Sequence, residues 1–297
     1  MSVNPIFRMS GIDPRHLRFR FWKNGTLLNR LSRAYGKIRT TYAWQRAVTE
    51  CGRALDWVRR DNFLILSAAR SGTTLLVDYL NCHPRIRCRG EILNSDYAYY
   101  GNPRHMGPER LRLQVESFFV RRAGTLAGAK VLTYQFDELQ IKLADMIEIL
   151  HDPAVIVLYR EQILEQYVSL KTAERDRVWH SNKPFKNEPI RLDPALFVEF
   201  VKRERRMWRE NLAVLNGRRV HYLTYDQLAN ETEETIRSLF GFLGLKAYPV
   251  HSPLVKLNRA PLSQRLVNYR DFVQGEVRAY TSLRLPFPEL SRRTKAA

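Results

Sequence analysis

The stretch Asp61 to Leu80, DNFLILSAARSGTTLLVDYL, constrains the fold more than any other part of the chain. Phe63 to Leu66 is a short apolar run that suits a buried strand. Ser67 to Thr74 is small and polar around Gly72, and Leu75, Leu76, Tyr79 and Leu80 recur at helical spacing. Strand, tight loop and helix start follow one another within twenty residues. That succession aims backbone N–H groups and the positive end of a helix dipole at one point, which is how a chain holds phosphate. An ordinary glycine-containing turn has the same local form, so the rest of the chain must separate the two.

Laid over the phosphate-loop pattern GxxxxGK[ST], Ser67 stands at the first glycine, Gly72 matches, Thr73 replaces the lysine and Thr74 matches the hydroxyl. Nucleotide hydrolases set that lysine on the β- and γ-phosphates and the hydroxyl on magnesium, so its loss argues against ATP or GTP chemistry. Arg70 brings a positive charge in a different place. A phosphate-loop NTPase or nucleotide kinase remains the alternative enzyme class.

A second stretch, AVIVLYREQILEQYVSLKTA over residues 154 to 173, begins as a β-branched, apolar run typical of a central parallel strand. It ends in Arg160, and a helix carrying Ser169 follows. A strand-end arginine and a helical serine clamp a phosphate by charge, fork geometry and hydroxyl. A hydrolase would end this strand in a carboxylate for magnesium. Two anionic groups and no metal are therefore expected.

Composition sets outer limits. The 297 residues suffice for one large α/β domain, and 44% hydrophobic with 27% charged residues is ordinary globular usage. Cys51, Cys82 and Cys88 show no metal-ligand spacing. The start lacks a signal-peptide pattern, and no window approaches about 18 uncharged apolar residues, so a reducing cytoplasm is expected. The net charge of +19 calls for an anionic partner. Residues 1–60 hold thirteen Lys and Arg against three acids and intersperse them with Phe19, Phe21, Trp22, Leu27, Leu28, Leu31 and Tyr35. This favours a basic helical extension, either solvated or resting on an acidic membrane surface, over a disordered tail. No nucleic-acid recognition motif accompanies the charge.

Between the two phosphate stretches, Pro84 ends the first helix, and Ile86 to Cys88 reads as a strand leading to Gly90-Glu91. A carboxylate there, beside a phosphate cradle, suits a general base, and Glu91 is the candidate, with His83, His105 and His180 as rivals. Gly128 to Leu132 is a further strand, with Lys130 directed either to solvent or to the reacting group. Tyr97, Tyr99 and Tyr100 offer aromatic faces to an acceptor, and Trp179 and His180 sit in a polar segment over it. Pro194 to Asn216 is an amphipathic helix stopped at Gly217, with Leu196, Phe197, Phe200, Val201, Trp208, Leu212 and Leu215 on its apolar stripe. Arg219 to Thr224 is the next strand, and Asp226 is placed as the cap of the helix after it.

Arg70-Ser71-Gly72-Thr73-Thr74 resembles the 5′-phosphosulfate loop [KR]-S-G-[TS]-[TS] of the sulfotransferases that use 3′-phosphoadenosine 5′-phosphosulfate (PAPS). In that family the strand-end Arg and helical Ser hold the 3′-phosphate, usually eight residues apart, whereas Ser169 lies nine after Arg160. The resemblance spans roughly residues 61–270 and is nearest to bacterial carbohydrate sulfotransferases similar to the trehalose enzyme. It implies Glu91 as base, Lys130 in a Gly-x-Lys strand near the site, and Tyr225 near the adenine. It also implies Lys256 and Arg259 in a closing loop that reaches the nucleotide phosphate.

The expected architecture is a three-layer α/β/α fold with a central parallel sheet, of the phosphate-loop, sulfotransferase type, with ligand at the carboxyl ends of the strands. The expected domains are an extension at 1–60, a sulfotransferase domain at 61–282 and a basic tail at 283–297. The expected function is metal-independent transfer of a sulfuryl group from PAPS to an acceptor hydroxyl on a carbohydrate or glycolipid. Glu91 takes the proton, and Arg70 with the Ser71 to Thr74 backbone stabilises the leaving phosphate. A non-catalytic basic nucleotide- or membrane-binding module is the remaining alternative.

Overall fold

The computed structural model describes residues 46, 47, 50, 62–94, 103, 106–119, 125–179, 188–254 and 260–282. Five parallel strands form one sheet in the order β2-β3-β1-β4-β5. They are β1 (Phe63–Ser67), β2 (Ile86–Glu91), β3 (Leu126–Leu132), β4 (Ala154–Tyr159) and β5 (Val220–Thr224). The chain starts at the middle, builds β2 and β3 on one side and β4 and β5 on the other. The crevice outside the carboxyl ends therefore opens beside β1, where the direction of building reverses.

The apolar runs of β1, β3 and β4 are buried along their whole length, as a sheet covered on both faces requires. Alternate residues of β1 serve different cores. Leu64 and Leu66 join a cluster with Val115, Phe119, Met146, Tyr167, Phe197 and Trp208, whereas Phe63 and Ile65 join one with Leu76, Leu80, Leu239 and Phe240. The first cluster is closed by helices α2 (Pro108–Phe119), α3 (Thr133–Leu139), α4 (Leu143–Ile149), α5 (Ile163–Asp176) and α6 (Pro194–Val214). The second is closed by α1 (Thr73–Cys82), α7 (Tyr225–Asn230) and α8 (Thr232–Phe242). The result is the three-layer α/β/α arrangement. Short helices α9 (Leu262–Arg265) and α10 (Tyr269–Val273) and a 3₁₀ turn at Glu276–Tyr280 complete the described chain.

Gly128 is required by close approach, because a Cβ there would stand 2.0 Å from the ring of Phe63, its partner in the β1–β3 register. Helix α6 runs as its stripe predicts, begun by Asp193, whose carboxylate accepts the Ala195 N–H, and by Pro194 in the first turn. Leu196 departs from the stripe and is 54% exposed. Its place in the first turn lies beyond the core edge, while Phe197 one residue on turns inward. The start of α7 differs from expectation too. Thr224 is the cap, its hydroxyl accepting the Gln227 N–H at 3.1 Å while Gln227 Oε1 accepts the Thr224 N–H at 2.9 Å, and Asp226 sits in the first turn. Cys88 is buried and Cys82 half-buried, both as free thiols. Among the described residues no helix is long and apolar enough to cross a membrane.

Candidate functional site

Because all strands are parallel, every strand end that carries a candidate residue reaches the same edge of the sheet. Beyond Ser67 the chain turns sharply. Arg70 and Gly72 take left-handed conformations, at φ 64° and 87°, and Gly72 is the cap of α1. Two left-handed residues so close together curl the backbone and point the N–H groups of the first helical turn outward, where no intrahelical carbonyl accepts them. The Ser71 hydroxyl is buried in this cradle and has no hydrogen-bond partner among the described residues. The ring of Tyr225, from the end of β5, lies so close to Gly72 that a Cβ there would meet it at 2.6 Å.

Two arginines converge on the cradle. Arg70 Nε donates to the Ser169 hydroxyl at 3.1 Å, and Nη1 donates to the Trp179 carbonyl at 2.8 Å. Arg160, one residue beyond β4, lies 4.6 Å over the ring of Tyr225, and its buried Nε has no hydrogen-bond partner among the described residues. Burial lowers the pKa of Arg70, and the charge of Arg160 lowers it further. Burial lowers that of Arg160, while Glu165 acts against the shift and Arg265 adds to it. Cations that disfavour one another in a dry site are relieved by an anion placed among them. Glu165 supplies part of that charge, 3.4 Å from Arg160 Nη2 and hydrogen-bonded to Arg265 Nη2.

The second half of the site joins β2 to β3. Glu91 and Lys130 are cross-strand neighbours in the parallel register, just past an irregularity that follows Cys88. Lys130 Nζ lies 3.0 Å from Glu91 Oε1 and donates to Thr73 Oγ1 at 3.4 Å. The lysine that the loop lacks is thus replaced by one reaching it from β3, with its charge already matched by Glu91. Asn94 Nδ2 and Gln135 Nε2 donate to Glu91 Oε2 at 2.9 and 3.3 Å. A carboxylate, an ammonium and two amides lie against the first turn of α1, buried enough for their mutual attraction to exceed what water would allow.

The structure thus assembles Arg70, Ser71, Gly72, Thr73, Thr74, Glu91, Lys130, Arg160, Ser169 and Tyr225 around one strand edge. Ser169, nine residues after Arg160, has its hydroxyl in contact with Arg70. Trp179 comes to the rim, its carbonyl held by Arg70 and its side chain 50% exposed. His83 does not join them. It ends α1 at the opposite edge of the sheet, its buried ring 5.0 Å from Phe240 and 5.3 Å from Tyr248, with Nδ1 accepting the Arg85 N–H. Burial, followed by the nearby Arg85, lowers its pKa. Tyr97, Tyr99, Tyr100, His105, His180, Lys256 and Arg259 lie outside the described residues, as do most of 1–60 and all of 283–297.

Gln135 and Arg265 were not legible from the sequence. Gln135 is the third residue of α3, but the usual cap signature fails because Leu132 occupies the place of a serine or threonine. Arg265 belongs to the four-residue helix α9, and no local pattern links it to a glutamate a hundred positions earlier.

Fold and site together define an α/β protein that presents an anion cradle, a two-arginine pocket and a carboxylate–lysine pair at one edge of a parallel sheet. No family model matches the chain. Nodulation protein H of Rhizobium meliloti (strain 1021) is similar to it, 24% identical over 221 residues that span 70% of this chain and 88% of the relative. A second Nodulation protein H of Rhizobium meliloti is 23% identical over 224 residues, spanning 70% and 88%. Similar solved structures carry the name of the family that the motifs resemble. A sulfotransferase from Alicyclobacillus acidocaldarius has TM-score 0.44 and 17% identity, over 68% of this chain and 87% of that one. A mouse sulfotransferase complexed with PAP has TM-score 0.42 and 15% identity, over 68% and 66%.

Proposed function

We propose that the chain is a sulfotransferase that takes PAPS as donor and moves its sulfuryl group to an acceptor hydroxyl on a carbohydrate or glycolipid. The observation that carries this reading is the pair of half-buried arginines, Arg70 in the loop and Arg160 beyond β4, converging on a cradle with an orphaned serine hydroxyl. A nucleotide with phosphates at both its 5′ and 3′ positions supplies an anion for each arginine. Tyr225, pressed between Gly72 and Arg160, is the residue assigned to the adenine.

In this mechanism the acceptor oxygen attacks sulfur as its proton passes to the Glu91 carboxylate. The bond from sulfur to the bridging oxygen breaks with its electron pair, and Arg70 with the Ser71–Thr74 backbone receives the charge on the departing 5′-phosphate. Lys130, between Glu91 and Thr73, steadies the moving sulfuryl oxygens. Trp179, exposed at the rim, offers an aromatic face to a sugar ring, and His180 follows it. Lys256 and Arg259 close over the nucleotide. Residues 1–60 serve as a basic extension, either solvated or in peripheral contact with acidic membrane.

The test is a labelled-sulfate transfer assay over a panel of sugars, glycolipids and phenols without added metal, paired with calorimetry of adenosine 3′,5′-bisphosphate. Transfer to a hydroxyl acceptor, lost in Arg70→Ala and Glu91→Gln, and tight binding of the bisphosphate are expected. Tight binding of ATP with magnesium but none of the bisphosphate overturns the proposal.

A further inference from the structure

The two oxygens of the Glu91 carboxylate are not equivalent. Oε2 receives two side-chain amides, Asn94 Nδ2 at 2.9 Å and Gln135 Nε2 at 3.3 Å, which occupy both of its lone-pair directions. Among the described residues Oε1 receives a single donor, Lys130 Nζ at 3.0 Å. The open lone pair of the carboxylate is therefore on Oε1, the oxygen on the side of Lys130 and, through it, of Thr73 in the loop.

Gln135 is fixed for this task by its surroundings. It is 1% exposed, and its Oε1 accepts the Leu132 N–H at 2.8 Å, across the turn from β3 into α3. Because its oxygen is committed to a backbone donor, its NH₂ group is the end presented to Glu91. The amide cannot be exchanged end for end without losing both bonds.

We propose that Gln135 is a positioning residue for acceptor deprotonation. Together with Asn94 it anchors Glu91 Oε2, so that Oε1 is the atom that takes the proton of the acceptor hydroxyl. The inference rests on Glu91 being the base. The acceptor O–H bond breaks, its proton goes to Oε1, and the oxygen's electron pair forms the new bond to sulfur. The bridging S–O electron pair leaves with the 5′-phosphate. Donation from two neutral amides stops the carboxylate rotating toward its other oxygen, without supplying a proton that competes with the acceptor's.

The decisive variant is Gln135→Glu, which retains an oxygen for the Leu132 N–H but sets a second carboxylate against Oε2. The acid limb of the kcat/KM profile for acceptor should move up by about 1–2 pH units, the direction for two neighbouring carboxylates. kcat at neutral pH should fall about 10–100-fold, with the bisphosphate affinity unchanged. Asn94→Asp should move the limb the same way and serves as the second probe if Gln135→Glu does not fold. A purely structural role would lower Tm and leave the limb in place. If Glu91→Gln abolishes transfer yet neither variant moves the limb, the positioning role is overturned and Glu91 stands as base. If Glu91→Gln retains transfer, the base assignment itself fails.

Discussion

Substituting Gly72 by alanine tests whether the loop after β1 and the ring of Tyr225 are one mechanical unit. Two costs arise from the structure. At φ 87° an alanine is left-handed, worth about 1–2 kcal/mol. Its Cβ would stand 2.6 Å from Tyr225 Cδ2 and 3.0 Å from Cε2, contacts that force the ring to move. The ring is not free to do so, because Arg160 lies 4.6 Å from its centroid. Overpacking of this kind adds roughly 1–3 kcal/mol, so Gly72→Ala should cost about 2–5 kcal/mol. The two costs separate in a double-mutant cycle. With Tyr225→Ala already in place the clash is gone, and the glycine substitution should cost only about 1–2 kcal/mol, the backbone share. Urea unfolding of the four proteins supplies the stabilities, and calorimetry with adenosine 3′,5′-bisphosphate should show at least about a tenfold loss of affinity in the single Gly72→Ala variant, which is about 1.4 kcal/mol. An equal cost of Gly72→Ala in both backgrounds would refute the steric link between loop and tyrosine.

The basic pocket makes a prediction about ligand discrimination. Arg160→Ala and Arg265→Ala should each weaken adenosine 3′,5′-bisphosphate about 10–100-fold, the worth of one charge-assisted hydrogen bond to phosphate, while adenosine 5′-phosphate, which lacks the 3′ group, changes little. Equal losses for both ligands in competition binding would place these arginines elsewhere on the nucleotide. A second prediction concerns pH. Burial raises the Glu204 carboxyl from 4.5 to about 7, and the nearby Arg203 only partly opposes it. Between those two values the folded protein holds a proton that the unfolded chain has released, so stability is greatest at the acid end of the interval. It falls as pH rises toward 7, by up to about 3 kcal/mol at roughly 1.4 kcal/mol per pH unit. Glu204→Gln should flatten this slope in urea titrations at several pH values; an unchanged slope would assign it to other groups.

The candidate site was legible to the extent that its chemistry is local. Arg70-Ser71-Gly72-Thr73-Thr74 lies between its own strand and helix, and Arg160 ends an unbroken apolar run, so both were placed by pattern alone. The parallel sheet then brings both to one edge, because β1 and β4 are paired in register from Phe63 and Ala154 onward. Residues whose role depends on a partner far along the chain were invisible. Lys130 could face either way until the β2–β3 register set it opposite Glu91. The contact of Ser169 with Arg70 was equally out of reach, because it joins α5 to a loop ninety-nine positions earlier. His83 was a rival only while its position was unknown, and α1 carries it to the opposite edge.

What the sequence by itself determined is the set of elements and the location of the anion cradle. Hydrophobic period, glycine and the charge at a strand end act within one turn or one strand. What only the tertiary structure decided is the company each charge keeps: Lys130 with Glu91 and Thr73, Gln135 with Glu91, and Arg265 with Glu165. Those pairings join residues up to a hundred positions apart, and the physical reason they escape a linear reading is that burial and strand register, not neighbouring residues, determine which charges meet.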